Sequence, residues 1–190
     1  MCSCKKDEPA SPNGTITTTF ENTDFQYTFN LDGQSFSAID GINGYINGSN
    51  VFYNSNTPNY IYWVHYSMFL DSNFSSKFSI HQAILKPDTL TYTIDDIRSI
   101  FHPGAHTYSQ DPLTGIVVEV TLNAFTDYTS ENGNDQTNSN FIITDTLTGV
   151  DTLGVYFKIK ANFNCNVYDS FGNQHEITNG IVVCKFQPNY

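Results

Sequence analysis

Four groups of residues in this 190-residue chain have the types and spacing to do chemistry. Asp95, Asp96, His102 and His106 lie within a dozen positions, a combination that serves metal ligation or acid–base work when the backbone brings the side chains together. A His-x-x-x-His pair converges on one helical face, and Pro103-Gly104 breaks a helix between these two, so capping and solvated-loop roles fit them better. Asp127, Glu131, Asn132, Asn134 and Asp135 offer the oxygen ligands that calcium takes, but without the ordered spacing of an EF-hand loop. A solvated polar loop is the better reading, and neither a metal site nor a cofactor is expected. Tyr60, Tyr62, Trp63 and Tyr66 form the candidate ligand-binding group: rings on a flat sheet stack on sugar faces, and Tyr60, Tyr62 and Tyr66 share a parity, so they project to one side of a strand. The competing reading puts these rings in the core or half-buried in a sheet, where aromatic side chains usually sit. Nucleophilic catalysis has no support, because no Gly-x-Ser-x-Gly elbow exists and Cys165 stands mid-strand among apolar neighbours, where a thiol packs rather than reacts.

The elements that must position these groups are mostly strands. From Val155 to Val167 every odd residue is apolar and the even residues are mostly Lys and Asn, which is the period of a long strand with one face in a core. A one-residue slip would turn the whole apolar set to water, so the register is fixed by that face. Phe25 to Leu31 and Gln34 to Ala38 alternate around Asp32-Gly33, the signature of a hairpin with a type I′ turn. Residues 41 to 59 are broken by Gly and Asn into short pieces suited to edge strands. Asn59 to Leu70 is apolar on both parities, which suits a strand covered on both faces or carrying a functional aromatic face, and Phe78 to Leu85 is its expected hairpin partner. Thr93 offers an N-cap for one short helix over 94–101, with Ile94, Ile97 and Phe101 on one face. Ile116 to Ala124 and Asn140 to Thr144 read as strands, and Thr126 to Ser139 as a long exposed loop. The fold class is therefore all-β: an antiparallel β-sandwich or partly closed barrel with one short helix.

Composition supports this class and narrows the function. Fifteen Phe and 12 Tyr favour strands, while Asn, Asp and Gly favour the turns between them. A net charge of −11 with only 8 Lys and Arg argues against nucleic acid and against an anionic membrane surface. The acids sit mainly in turns, at Asp32, Asp40, Asp88, Asp145, Asp151 and Asp169, a distribution that favours binding over catalysis. A glycan-active hydrolase on a sandwich scaffold is the alternative, and it would need two carboxylates converging in a cleft. Residues 1–24 read as an N-terminal segment and flexible tether rich in Pro, Ser, Asn, Gly and Thr, and 25–190 as a single β domain. Cys165 and Cys184 both share parity with core residues, but a simple hairpin register leaves them roughly 20 Å apart, which favours two free thiols. A bulge at Thr178-Asn179-Gly180, or a crossing to the facing sheet, is the one route to a bridge.

Two resemblances add to this reading. Met1-Cys2-Ser3-Cys4-Lys5-Lys6-Asp7-Glu8 resembles the end of a bacterial lipoprotein signal, with a small residue directly before Cys4 and Lys and acids after it. The resemblance implies that the Cys4 thiol is acylated, and the missing apolar region before it implies a mature or truncated form. The Asp32-Gly33 hairpin, the Pro103-Gly104-Ala105-His106-Thr107-Tyr108 loop, Gly172-Asn173 and Ile177-Thr178-Asn179-Gly180 resemble small exported lipoproteins of unknown function from Bacteroidetes. That family implies a lipid anchor in the outer membrane, facing the cell surface or the periplasm, and no chemistry; its partner would be a glycan or an envelope protein. It also implies O-glycosylation at the Asp-Thr-apolar triplets, hence at Thr89, Thr146 and Thr152, all expected in turns.

Overall fold

The computed structural model describes residues 19–57, 60–87, 93–108, 115–131 and 135–188, and leaves out the side chains of residues 52–57, 60–62 and Pro87. In chain order the strands are β1 (Gln26–Leu31), β2 (Gln34–Ile39), β3 (Ile46–Thr57), β4 (Tyr60–Leu70) and β5 (Lys77–Pro87). Helix α1 (Ile94–Ile100) precedes β6 (Gly104–His106), β7 (Val117–Leu122), β8 (Thr126–Thr129), β9 (Asn140–Asp151), β10 (Gly154–Tyr168) and β11 (Gln174–Phe186). A 3-10 turn, Phe20–Asn22, leads into β1.

The ladders between strands are antiparallel and run β2-β1-β11-β10, with β9 and then β6 beside β10. A single pair, Tyr168 with Thr129, joins this half to β8-β7-β5-β4-β3. The sheet is not closed into a barrel. It folds into two facing layers: the ring of Tyr27 on β1 stands 5.2 Å from Phe69 on β4 and 4.7 Å from Phe78 on β5. The Asp32-Gly33 turn has φ of 48° and 82°, the left-handed pair that a type I′ turn requires.

Alternation along β10 holds as the sequence predicts from Phe157 to Val167, whereas Val155, expected on the same buried face, is 37% exposed near the turn from β9. Phe157, Ile159, Ala161, Phe163, Cys165 and Val167 are buried in one core with Phe29, Phe78 and Phe141. Two aromatic side chains of this strand lie across a glycine of the neighbour: Phe163 pairs with Gly180 and Tyr156 with Gly149. A Cβ at Gly180 would stand 2.6 Å from the Phe163 ring, and one at Gly149 would stand 2.3 Å from the Tyr156 ring, so these strands approach through their glycines. Lys158 departs from the expected wet face and is 3% exposed. Its Nζ donates to the carbonyls of Phe20 at 3.0 Å, Glu21 at 3.2 Å and also Thr23, and stands 5.1 and 5.2 Å from the Phe20 and Phe25 ring centres. The N-terminal turn covers this end of the sheet, and burial lowers the Lys158 pKa against the pull of Asp24 and Glu21.

The β11 register breaks where the sequence places Thr178-Asn179-Gly180. Phe163 faces Gly180 but Cys165 faces Ile177, so Thr178 and Asn179 together oppose Asn164, with Asn179 at φ 53°. This bulge does not bring the cysteines together: Cys184 faces Ile159, about 20 Å along β10 from Cys165. Both thiols are free and buried, and burial pushes each up to about 12.

Elsewhere two expectations change. Residues 126–129 form β8 against β7 rather than an open loop, with Tyr128 packed on the core. The β9 strand runs on to Asp151, well past Thr144. Helix α1 forms as predicted: the Asp96 carboxylate accepts from the Thr93 amide at 2.8 Å and its hydroxyl at 2.9 Å, while Ile97 and Phe101 are fully buried. The Phe101 ring stacks on Phe186 at 3.9 Å.

Candidate functional site

The layer β4-β5-β7-β8 has a core face and an outer face set by alternation. Trp63, Phe69, Phe78, Ile80, Val118 and Val120 belong to the core, which sends Tyr66, Ser79, His81 and Glu119 to the other side. Register then makes them neighbours: Tyr66 pairs with His81, Ser79 with Glu119, and Glu119 with Thr129. Just beyond β8, Ser130 is clamped to β7 by two hydrogen bonds of 2.9 Å, its amide to the Val118 carbonyl and the Val118 amide to its hydroxyl. The chain is thereby held so that Glu131 reaches the same face.

His81 is 1% exposed although it lies on the outer side of the sheet. The Tyr66 ring packs over it at 4.3 Å and 33°. A ring nitrogen of His81 and carboxylate oxygens of Glu119 and Glu131 all lie within 4.8 Å of one another. Glu119 Oε2 accepts from Lys77 Nζ at 3.0 Å and from Ser79 Oγ at 3.0 Å. Burial would raise the Glu119 carboxyl, but His81, Lys77 and Ser79 together hold it below the usual carboxylate range. Burial pulls His81 down to about 4, opposed by Glu119 and reinforced by Lys77. At neutral pH the imidazole is therefore uncharged, and Lys77 and Ser79 are what keep Glu119 ionised. Burial, Glu119 and Glu131 push Tyr66 up to about 12, so its phenol stays protonated.

Of the aromatic candidates, Tyr66 is half-buried on this outer face, and the side chains of Tyr60 and Tyr62 lie outside the described residues. Trp63 is 8% exposed and part of the core, since three residues of strand place it on the opposite face from Tyr66; it supplies no stacking surface. Asp95, Asp96, His102 and His106 do not converge. Asp95 pairs with Arg98 at 2.6 Å, Asp96 caps α1 and pairs with Lys86 at 2.7 Å, and the two histidines, with ring centres 4.6 Å apart, bond to backbone carbonyls. The acidic loop separates as well: Asp127 accepts from Thr121 at 2.6 Å, Asp135 from the Thr137 amide at 2.8 Å, and Glu131 goes to His81. Asn132 and Asn134 lie outside the described residues.

Cys4 and Thr89 also fall outside the described residues. Thr152 is exposed in the turn between β9 and β10, whereas Thr146 is half-buried within β9 opposite Ile159 rather than in a turn. Sequence reasoning weighed Glu131 only as a calcium ligand and did not single out His81 or Glu119. A His and a Glu at alternate-face positions of two strands carry no local motif, and the signal that finds them is strand order.

Of the concavities among the described residues, one touches this layer and one lies on the β10-β11 half. One, of about 290 Å³ between the layers, is lined by Tyr27, Phe29, Phe36, Tyr45 and Leu122. The other, about 370 Å³, is lined by Asn138, Asn164, Asn166, Gln174 and Glu176. No protein-family model matches the chain, and no curated protein or solved structure matches it.

Proposed function

We propose that the protein is a non-enzymatic cell-envelope lipoprotein, anchored in the outer membrane through Cys4, that works as a binding or accessory module for a glycan or an envelope protein. The observation that carries the binding reading is the convergence of Tyr66, Ser79, His81, Glu119 and Glu131 on one outer sheet face. A half-buried ring beside two partly exposed carboxylates, those of Glu119 and Glu131, is the combination that holds a polar ligand by packing and hydrogen bonding together. Against catalysis, the two thiols are buried and pushed up to about 12, so neither is a nucleophile at neutral pH. The Bacteroidetes resemblance of the turns and the Ser3-Cys4 pair support the envelope location.

The test is titration of the protein with envelope oligosaccharides by calorimetry. Binding that weakens at least about tenfold in Tyr66→Ala supports the reading, in line with the loss of an aromatic contact. No saccharide affinity, and no envelope protein retained by the chain but not by Tyr66→Ala, refutes it. Palmitate labelling of the lipidated form should disappear in Cys4→Ser, and label that persists refutes the anchor. An intact mass of the native protein equal to the lipidated polypeptide refutes O-glycosylation, for which exposed Thr152 is the best placed of the described sites.

The hydrolase reading has one observation in its favour, the approach of Glu119 and Glu131 oxygens to within 4.8 Å, near the spacing of a retaining glycosidase pair. Such a pair needs one ionised carboxylate as nucleophile and one carboxyl that carries a proton; Lys77 and Ser79 hold Glu119 ionised, so the acid would have to be Glu131. Release of reducing ends that is abolished in Glu131→Gln would establish hydrolysis.

A further inference from the structure

We propose that His81, Glu119 and Glu131 form a binding site for a first-row divalent metal ion of the Zn²⁺ class. The three side chains come from β5, from β7 and from the segment after β8, and among the described residues they are the one group of three or more His, Cys, Asp or Glu side chains that meets closely enough to hold an ion. The inference is independent of whether the same face takes a glycan.

Two further observations point to a ligand. His81 is 1% exposed, and its Nδ1 is buried with no hydrogen-bond partner among the described residues. A buried polar atom left unpaired is costly enough that folded proteins seldom keep one without a water or an ion to satisfy the group. The second is the support behind Glu119. Ser79 and Lys77 both donate to its Oε2, and Oε1 accepts no hydrogen bond among the described residues. This is the outer support that orients a metal-binding carboxylate and leaves one oxygen for the ion. The Tyr66 ring, packed on the imidazole at 4.3 Å, fixes the plane of the third ligand.

The donor set selects the class of ion. One imidazole nitrogen with two carboxylate oxygens suits Zn²⁺, Mn²⁺ or Fe²⁺, whereas calcium and magnesium take oxygen ligands alone. Ligand atoms about 2.0–2.2 Å from a tetrahedral ion stand roughly 3.4 Å apart, so a spread within 4.8 Å closes with small side-chain rotations. Three protein ligands leave at least one position for water or for an oxygen of a bound molecule. Lys77 and the two carboxylates sum to −1 before the ion arrives, and a divalent cation turns this face positive.

The experiment is a calorimetric titration with ZnCl₂ of the full-length chain carrying Cys2→Ser and Cys4→Ser, which removes the thiols of the N-terminal Cys-x-Cys pair. One equivalent should bind, and His81→Ala and Glu119→Gln should each weaken binding at least about tenfold, while His102→Ala leaves it unchanged. The Co²⁺-loaded protein should show visible bands of nitrogen and oxygen ligation without thiolate charge transfer. Should His81→Ala fail to fold by circular dichroism, Glu131→Gln, at a partly exposed position, decides the matter through a shift of the Co²⁺ bands and a weaker Zn²⁺ isotherm. Absence of stoichiometric Zn²⁺ binding overturns the proposal. So does binding that survives Glu131→Gln unchanged, or that is lost in His102→Ala rather than at His81.

Discussion

Gly180→Ala tests the packing that holds the two layers together. Gly180 sits opposite Phe163, and a Cβ there would stand 2.6 Å from both Cε1 and Cζ of that ring. The ring cannot swing aside, because Phe163 is 3% exposed and packed against Phe78 at 5.8 Å, Phe141 at 6.0 Å and Phe29 at 6.5 Å. Forcing a methyl into such a core costs about 1–3 kcal/mol, and the gain from replacing a strand glycine returns about 0.5–1 kcal/mol. The net expectation is a loss of about 1–2 kcal/mol. Phe163→Ala removes all three ring atoms that the methyl would strike, at 2.6, 2.6 and 2.7 Å, at a cost of its own of about 3–5 kcal/mol. In that background Gly180→Ala should be neutral or stabilising, a coupling of about 2 kcal/mol between the sites. Urea unfolding of the four proteins measures it: at a slope near 2 kcal/mol per molar, the single glycine variant should lose roughly 0.5–1 M in midpoint. An equal loss from Gly180→Ala in both backgrounds would show that contact with Phe163 is not what excludes a side chain at 180, and the reasoning would fail.

Three other outcomes follow from the same contacts. Lys158→Met removes the donor shared by three carbonyls of the N-terminal turn, and because charged hydrogen bonds contribute about 1.5–3 kcal/mol each before rehydration, it should destabilise by about 2 kcal/mol and speed amide exchange at Asn22 and Thr23. Unchanged exchange there would show that Lys158 does not hold the N-terminal turn in place. Denatured, unreduced protein lacking Cys2 and Cys4 should titrate two thiols and the folded protein none, since Cys165 and Cys184 are free and buried; no reactive thiol on denaturation would mean a bridge. His175 Nδ1 donates to the Asp32 carboxylate across 2.6 Å, and its Nε2 lies 3.6 Å from Asp169; the bond to Asp32 chiefly raises the His175 pKa, against desolvation. A raised folded pKa gives stability that is complete below the unfolded value near 6.5 and is lost as pH rises through the folded value. The urea midpoint should therefore fall across that range by no more than an exposed pair supplies, about 0.2–1 kcal/mol, and the slope should vanish in His175→Asn; a slope that persists refutes the assignment.

What could be read locally was read from periodicity and turn chemistry. Alternation along β10 determined which side of the strand is buried, because a slip would have exposed Phe157, Ile159 and Phe163 together. Asp32-Gly33 determined its turn, since both positions need positive φ, and Thr93 with the acids behind it determined where α1 begins. Separation along the strand also kept Cys165 and Cys184 apart, a distance the bulge at Thr178-Asn179 does not remove. Tertiary structure decided the rest. Lys158 looks like a solvent residue within its strand, and its burial depends on Phe20, 138 positions earlier. Residues 126–129 are polar enough to read as loop, and only pairing with β7 makes them a strand. His81, Glu119 and Glu131 lie far apart in the chain and meet because β5, β7 and β8 are neighbours in that order and Ser130 directs the chain leaving β8. Periodicity reports which face a residue takes; strand order, which depends on the summed packing of the two layers, decides who stands beside it.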